Sequence, residues 1–188
     1  ASSARQVRVP DKSANLIWTA DEYEWFSKNS YNLAIKHLSD WHPRHILRIL
    51  QCCIVFIDQY SFNFSEQVSD NTSLRKLFCE FSATTVLVAL ARGEDNIEAQ
   101  LQEYLRIRKH VDAYYTVIQE IVEKMDQNAQ EDLNRKLSIL LAYDFEAACR
   151  LRAWDDLGDI ISRANVSKKS RVYEIMADCI LCADAPTQ

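Results

Sequence analysis

The chain has 188 residues, and only two are glycine and three are proline. Average usage would give roughly 22 of these two residue types, which make most tight turns. Folds that need many turns, such as β-sandwiches, β-barrels and glycine-loop nucleotide sites, are therefore disfavoured. The hydrophobic content of 48% argues against a mainly disordered chain, and the net charge of −5 argues against direct nucleic-acid binding.

Residues 1–15 show no apolar period, and we expect a flexible leader there. Residues 16–188 are predicted to form one α-helical repeat domain. Because the chain begins with Ala1 rather than methionine, we expect a fragment of a longer solenoid. Pro43 suits the first turn of a helix, and Gly93 suits a helix end. The predicted helices span 20–38, 43–60, 94–125 (one helix, or two with an unplaced break), 131–151, 154–164 and 170–183. A further helix is predicted to start from a cap at 71, 72 or 73 and to end at 92.

These seven or eight helices are joined by short connections, so consecutive helices should pack antiparallel. Two architectures fit this pattern: a stack of degenerate tetratricopeptide-like hairpins, or a compact helical bundle. The stack is favoured because small and aromatic residues recur at the spacing of such a hairpin, although no clean repeat period survives. These residues are Leu141, Phe145 and Ala148 on the first helix, and Trp154 (expected to be buried), Leu157, Ile161 and Ala164 on the second.

An acidic string is the strongest hint of catalysis. Asp155, Asp156 and Asp159 form a DDxxD pattern, which binds magnesium and a diphosphate in α-helical prenyl-transfer enzymes. Such a site needs a second acidic cluster, which the sequence lacks. The favoured interpretation is that Asp155 and Asp156 complement the positive end of a helix dipole.

Cysteines and histidines give no convincing metal site. Cys179 and Cys182 have CxxC spacing, but zinc usually needs a second such pair, so we expect buried thiols. Six cysteines, mostly in apolar helical stretches, favour a reducing intracellular compartment. His37, His42 and His45 surround the first interhelical turn and are expected to make polar contacts or face solvent. We predict no metal and no cofactor.

Two sets of polar residues are candidates for partner binding. Lys28 and Asn32 stand one helical turn apart, and an ammonium with an amide can satisfy a peptide's terminal carboxylate. A second set lies in the acid-free run 162–171, which could meet an acidic partner; its members are Arg163, Lys168, Lys169 and Arg171. In both cases, solvated surface is the simpler alternative.

Four short motifs resemble a known family. They are YEWF at 23–26 followed by SYNLA at 30–34, and FEAAC at 145–149 followed by WDDL at 154–157. With these motifs the chain resembles the Spo22/Zip4-like meiotic proteins over most of its length after about residue 14. The resemblance implies a tetratricopeptide-like α-solenoid in the nucleus. It also implies a scaffold that binds other meiotic chromosome proteins and supports synapsis, the synaptonemal complex and crossover formation.

The leading interpretation is therefore a non-enzymatic protein-interaction scaffold of meiotic chromosome synapsis and crossover recombination, without membrane association. The resemblance carries over no binding residue. Two alternatives stay open: a helical-repeat adaptor outside meiosis, and a magnesium-dependent α-helical enzyme that uses the DDxxD string.

Overall fold

The computed structural model describes residues 18–165 and 170–182, and over these residues the chain is all-α, with seven helices and no strand. The prediction of an all-α fold is confirmed. The predicted leader, Lys168 and Lys169 lie outside the described residues. The helices are α1 (Ala20–Lys36), α2 (Pro43–Asn63), α3 (Asp70–Arg92), α4 (Ile97–Ile121), α5 (Gln127–Arg150), α6 (Leu157–Ala164) and α7 (Ser170–Leu181).

Within the described residues, side-chain caps start five of the helices, because each helix leaves its first amide groups without an internal partner. The five caps are Thr19, His42, Ser69, Asn96 and Asp126. The cap of α3 is therefore Ser69, two residues before the expected range 71–73. The predicted long helix is one continuous helix, α4, which ends in a short 3₁₀ turn at 122–124.

One helix end adopts a backbone conformation that the sequence did not indicate. Gly93 ends α3 as predicted, but its φ is −97°, whereas Arg152 after α5 has a φ of 58°. The amide of Arg152 donates to the Cys149 carbonyl, and the amide of Ala153 donates to the Ala148 carbonyl. These are the two bonds of a Schellman motif. An arginine stands where glycine is usual, at a cost of roughly 1–2 kcal/mol for left-handed backbone.

The helices pack as successive hairpins rather than as a closed bundle. α1 packs with α2, α3 with α4, and α5 with α6, and the hairpins join through the α2–α3 and α4–α5 contacts. α7 packs against α5. In residues 18–165 and 170–182, no extensive contact joins α1 or α2 to α5, α6 or α7, as closing a bundle would require.

Contacts between alternate helices define two layers. The rings of Tyr31 and Phe78 lie 5.2 Å apart and join α1 to α3, and α5 contacts both α3 and α7. On the other side, Arg44 pairs with Glu103 at 3.5 Å and joins α2 to α4. The odd-numbered helices thus form one layer and the even-numbered helices the other. This arrangement is that of a stack of helical hairpins.

The hairpins are longer than tetratricopeptide repeats. The odd-numbered helices begin at residues 20, 70, 127 and 170, so successive hairpins are 50, 57 and 43 residues apart. Tetratricopeptide repeats have a period of about 34 residues. The hairpins thus differ from tetratricopeptide repeats in length, and their unequal intervals explain why no clean period is visible in the sequence.

The core lies in the middle of the stack. The largest fully buried side chains come from α2 to α5; they are Ile46, Leu50, Ile57, Leu77, Leu87, Tyr104, Ile107, Tyr114, Ile118, Leu140, Leu141 and Phe145. On α6, Ile160 and Ala164 are buried, whereas Ile161 is exposed. Trp154 lies in the 3₁₀ turn before α6 and is half-buried, so the expectation that it is buried was wrong. The predicted buried face of α6 was wrong at Ile161, because the buried residue is its neighbour Ile160. A 3₁₀ turn, which has three residues per turn, precedes α6 and shifts the phase of its buried face.

None of the described helices combines the length and the apolar composition that crossing a membrane requires.

Candidate functional site

A cleft lies in the odd-helix layer between α5 and α7, with the last residue of α3 at one end. Its volume is about 420 Å³. We call it the α5–α7 cleft; it is lined by Arg92, Arg135, Ser138, Ile139, Ala142, Tyr143, Arg171, Val172 and Ile175.

A single face of α5 forms one wall of the α5–α7 cleft. Its lining residues stand at 135, 138, 139, 142 and 143, which is the i, i+3, i+4, i+7, i+8 spacing of one helical stripe. The other wall is the start of α7, where residues 171, 172 and 175 face the stripe. The cleft therefore follows the axes of two neighbouring helices.

The floor of the cleft is apolar and accessible. Ile139 and Ile175, from the two facing helices, keep 39% and 37% of their surface exposed. The half-buried ring of Tyr143 lies beneath the guanidinium of Arg92, 5.8 Å from its carbon to the ring centroid. Apolar side chains that stay accessible in a concave surface favour contact with another molecule.

Three arginines surround this floor, and the described part of the lining contains no carboxylate. The side chains of Arg92, Arg135 and Arg171 are 54%, 63% and 82% exposed. Each has one carboxylate partner outside the cleft: Glu146, Asp132 and Glu174, respectively. Because a guanidinium has five N–H donors, one carboxylate leaves donors free for a ligand.

A buried carboxylate holds Arg92 in place. Glu146 on α5 accepts hydrogen bonds from Nε of Arg92 at 3.0 Å, from its Nη2, and from the hydroxyl of Tyr104 at 3.2 Å. The hydrogen bond to Glu146 raises the pKa of Arg92. Burial, followed by the charge of Glu146, raises the pKa of Tyr104. A glutamate within the apolar run FEAAC was a sequence signal for this buried pair, and the sequence interpretation missed it.

A smaller cleft of about 220 Å³ adjoins the first one through Arg92 and Ile175. Its walls include Cys149, Cys179 and Cys182. Cys179 is half-buried, and burial raises its pKa to about 11. The expectation of two buried thiols was wrong for Cys182, which follows the last residue of α7 and is exposed like its neighbour Leu181.

All six cysteines are free thiols. Within the described ranges, no three His, Cys, Asp or Glu side chains come close enough together to hold a metal ion.

The residues predicted for partner binding are not brought together. Lys28 pairs with Glu24 at 2.8 Å along α1, and Asn32 is exposed one turn further, at the opposite end of the stack from α7. Arg163 donates to Asp112 at 2.8 Å, and its guanidinium lies 4.9 Å from the centroid of the Tyr115 ring. Arg163 therefore joins α6 to α4.

Arg171 is the predicted residue that the structure places in the α5–α7 cleft. The other two arginines of the cleft, Arg92 and Arg135, were not identified from the sequence because they lie on other helices, far away along the chain.

The DDxxD string is part of an ion-pair network. Asp156 accepts a hydrogen bond from Arg108 at 2.7 Å and makes no side-chain cap bond, while Asp155 and Asp159 are exposed. Arg108 also donates to the buried carboxylate of Asp144 at 3.0 Å. Burial raises the pKa of Asp144, and the charge of Arg108 opposes that rise. The network ties the start of α6 to α4 and α5.

The histidines near the first turn have local roles. Nδ1 of His42 accepts a hydrogen bond from the amide of Arg44, and the rings of His37 and Trp41 stack 4.3 Å apart. A fourth histidine forms a contact that the sequence did not indicate. His110 on α4 contacts the buried carboxylate of Glu80 and so links α4 to α3.

No protein-family model, no curated protein and no solved structure matches this chain. The fold and the cleft define a class, a stack of long α-helical hairpins with a basic, apolar-floored cleft. The resemblance to the Spo22/Zip4-like family stays a prediction that depends on the four sequence motifs.

Proposed function

We propose that the chain is a non-enzymatic protein-interaction module, a helical scaffold that holds a segment of a partner protein in the α5–α7 cleft. The observation that carries the proposal is the composition of this cleft, with an accessible apolar floor and exposed cations around it. Grooves between helices that offer an apolar stripe are a recurring way of binding a peptide or a helix.

The shape of the cleft favours a long ligand over a small one. A small molecule needs most of its surface buried to bind well. The floor residues Ile139 and Ile175 are more than one-third exposed, so the cleft is shallow. A shallow cleft between two helix axes gives enough contact area only to a ligand that runs along it.

The finer proposal is that this module serves in meiotic chromosome synapsis and crossover recombination, in the nucleus. The four sequence motifs are its support. An adaptor outside meiosis would use the same surface, and only the identity of the partner separates the two. The magnesium-enzyme alternative loses support because Asp156 is engaged with Arg108.

Site-specific photo-crosslinking tests the proposal. A photoreactive amino acid replaces Ile139 in the cleft or, as the matched control, exposed Val55 on α2. We expect a discrete protein adduct at position 139 and none at position 55. Equal labelling at both positions would contradict a binding role for the cleft. The crosslinking is done in extracts of meiotic and of non-meiotic cells. Equal amounts of adduct from both extracts would contradict the meiotic role but not the role as a protein-interaction module.

A further inference from the structure

We infer that the α5–α7 cleft binds an acidic protein segment in which carboxylates flank one large apolar side chain. This inference rests on the proposed function, because it names the chemistry of the partner. Its basis is a contrast in charge. The whole chain carries a net charge of −5, yet among the described residues the lining of the cleft includes three arginines and no acidic residue.

The three guanidinium groups remain available to a ligand. Arg92 binds Glu146 through Nε and Nη2, which leaves its Nη1 donors unused in that pair. Arg171 meets Glu174 one turn along its own helix at 3.3 Å, with both side chains more than half exposed. Exposed pairs of this kind contribute little free energy, so exchanging one for a partner's carboxylate costs little.

Arg135 can change partner without leaving a carboxylate unpaired. Its partner Asp132 also pairs with Lys136, and the hydrogen bond from Lys136 is the main reason why the pKa of Asp132 is lowered. When Arg135 turns to a ligand, Asp132 therefore keeps its lysine. Guanidinium groups bind carboxylates with two parallel hydrogen bonds, which favours an acidic ligand over a neutral one.

The apolar part of the ligand has a defined place. Ile139 and Ile175 face each other across the cleft, and the ring of Tyr143 lies one helical turn from Ile139. One leucine or aromatic side chain inserted there would cover the exposed surface of both isoleucines. This apolar floor favours a protein segment over a nucleic acid, whose phosphates need cations but no aliphatic pocket.

The neighbouring cleft limits where the acidic segment can lie. Its lining includes Glu146 and Asp178 beside Arg92 and Arg150. A negative ligand therefore finds its most favourable path between Arg135 and Arg171 and is less favoured towards Asp178. The segment is expected to end near Arg92.

The test measures fluorescence anisotropy of a labelled peptide that contains aspartates and glutamates around one leucine. The intact chain is compared with Arg135→Gln, Arg171→Gln and the control Arg48→Gln, which removes the same charge from an exposed site on α2. We expect each cleft variant to weaken binding by up to about fivefold, the upper range for an exposed ion pair. Arg48→Gln should leave binding unchanged, and Ile139→Asp should abolish it.

Three results would overturn the inference. The first is equal binding of a peptide with asparagine and glutamine in place of the acids. The second is an equal loss in Arg48→Gln, which would indicate an effect of net charge alone. The third is tighter binding of a single-stranded oligonucleotide of equal charge. Circular dichroism confirms that each variant is folded. A crosslink at position 139 without acidic preference would leave the proposed function standing and refute the partner chemistry.

Discussion

The two walls of the α5–α7 cleft are held in very different ways. On α5, every residue from 144 to 149 is buried; this segment directly follows the residues that line the cleft and anchors the helix that carries them. On α7, by contrast, Val172 and Met176 are buried among the described side chains, and Leu181 is exposed. Regions with few buried contacts open at low free energy. The comparison indicates a binding cleft with one fixed wall and one adjustable wall.

The largest expected effect is on the fixed wall. Phe145 is fully buried in the middle of α5, and Phe145→Ala should lower the free energy of unfolding by ~3–5 kcal/mol. Densely packed neighbours cannot close the cavity that the ring leaves. Denaturant unfolding followed by circular dichroism measures the change. A loss below about 1 kcal/mol would mean that α5 is not the fixed wall.

The matched change on the adjustable wall should cost less. Met176 is buried on α7, and Met176→Ala is expected to cost about 2 kcal/mol, the lower end for such truncations. Because the main contact of α7 within the described residues is with α5, the loss should appear as local opening of 170–181 before global unfolding. Hydrogen exchange read out by mass spectrometry checks this. Uniform exchange of α5 and α7 would remove the distinction between the walls.

A smaller change should stabilise the chain. At Arg152 the backbone has a φ of 58°, and glycine adopts this conformation without a steric penalty. Arg152→Gly is expected to gain about 1 kcal/mol of unfolding free energy while it keeps both bonds of the Schellman motif. Thermal unfolding measures the gain, with Arg150→Gly inside α5 as the control that should destabilise.

The reactivity of the cysteines tests the same difference between α5 and α7 without any substitution. At pH 8, iodoacetamide should modify exposed Cys182 quickly and buried Cys149 slowly. Cys179 has a pKa raised to about 11, so its reactive thiolate is scarce at pH 8 and increases as the pH rises towards 11. Peptide mapping after a time course gives the order. Modification of Cys149 at the same rate as Cys182 would contradict the burial of α5 around residue 149.

The sequence was sufficient to predict the helices and much of the order in which they pack. Pro43 and Gly93 mark real helix boundaries, and the periodicity of Leu141 and Phe145 identifies the buried face of α5. The face of α6 was misplaced at Ile161 because a 3₁₀ turn changes the phase, which a periodic pattern does not show.

The cleft itself was only partly predictable. Arg171 was found because the run 162–171 lacks acids. Arg92 and Arg135 could not be grouped with it, because their proximity depends on α7 packing beside α5 and on the end of α3 reaching both. Such contacts are non-local, and nothing in the spacing of a single helix encodes them.

The most direct measurement is hydrogen exchange of the intact chain with and without a saturating amount of the acidic leucine peptide. Binding in the α5–α7 cleft predicts slower exchange at 135–143 and 171–176, with the larger change on α7 because that wall opens more readily. Residues 48–55 on α2 should not change. Protection centred on α2, or the same protection from the neutral peptide, would contradict the cleft as an acidic-segment site.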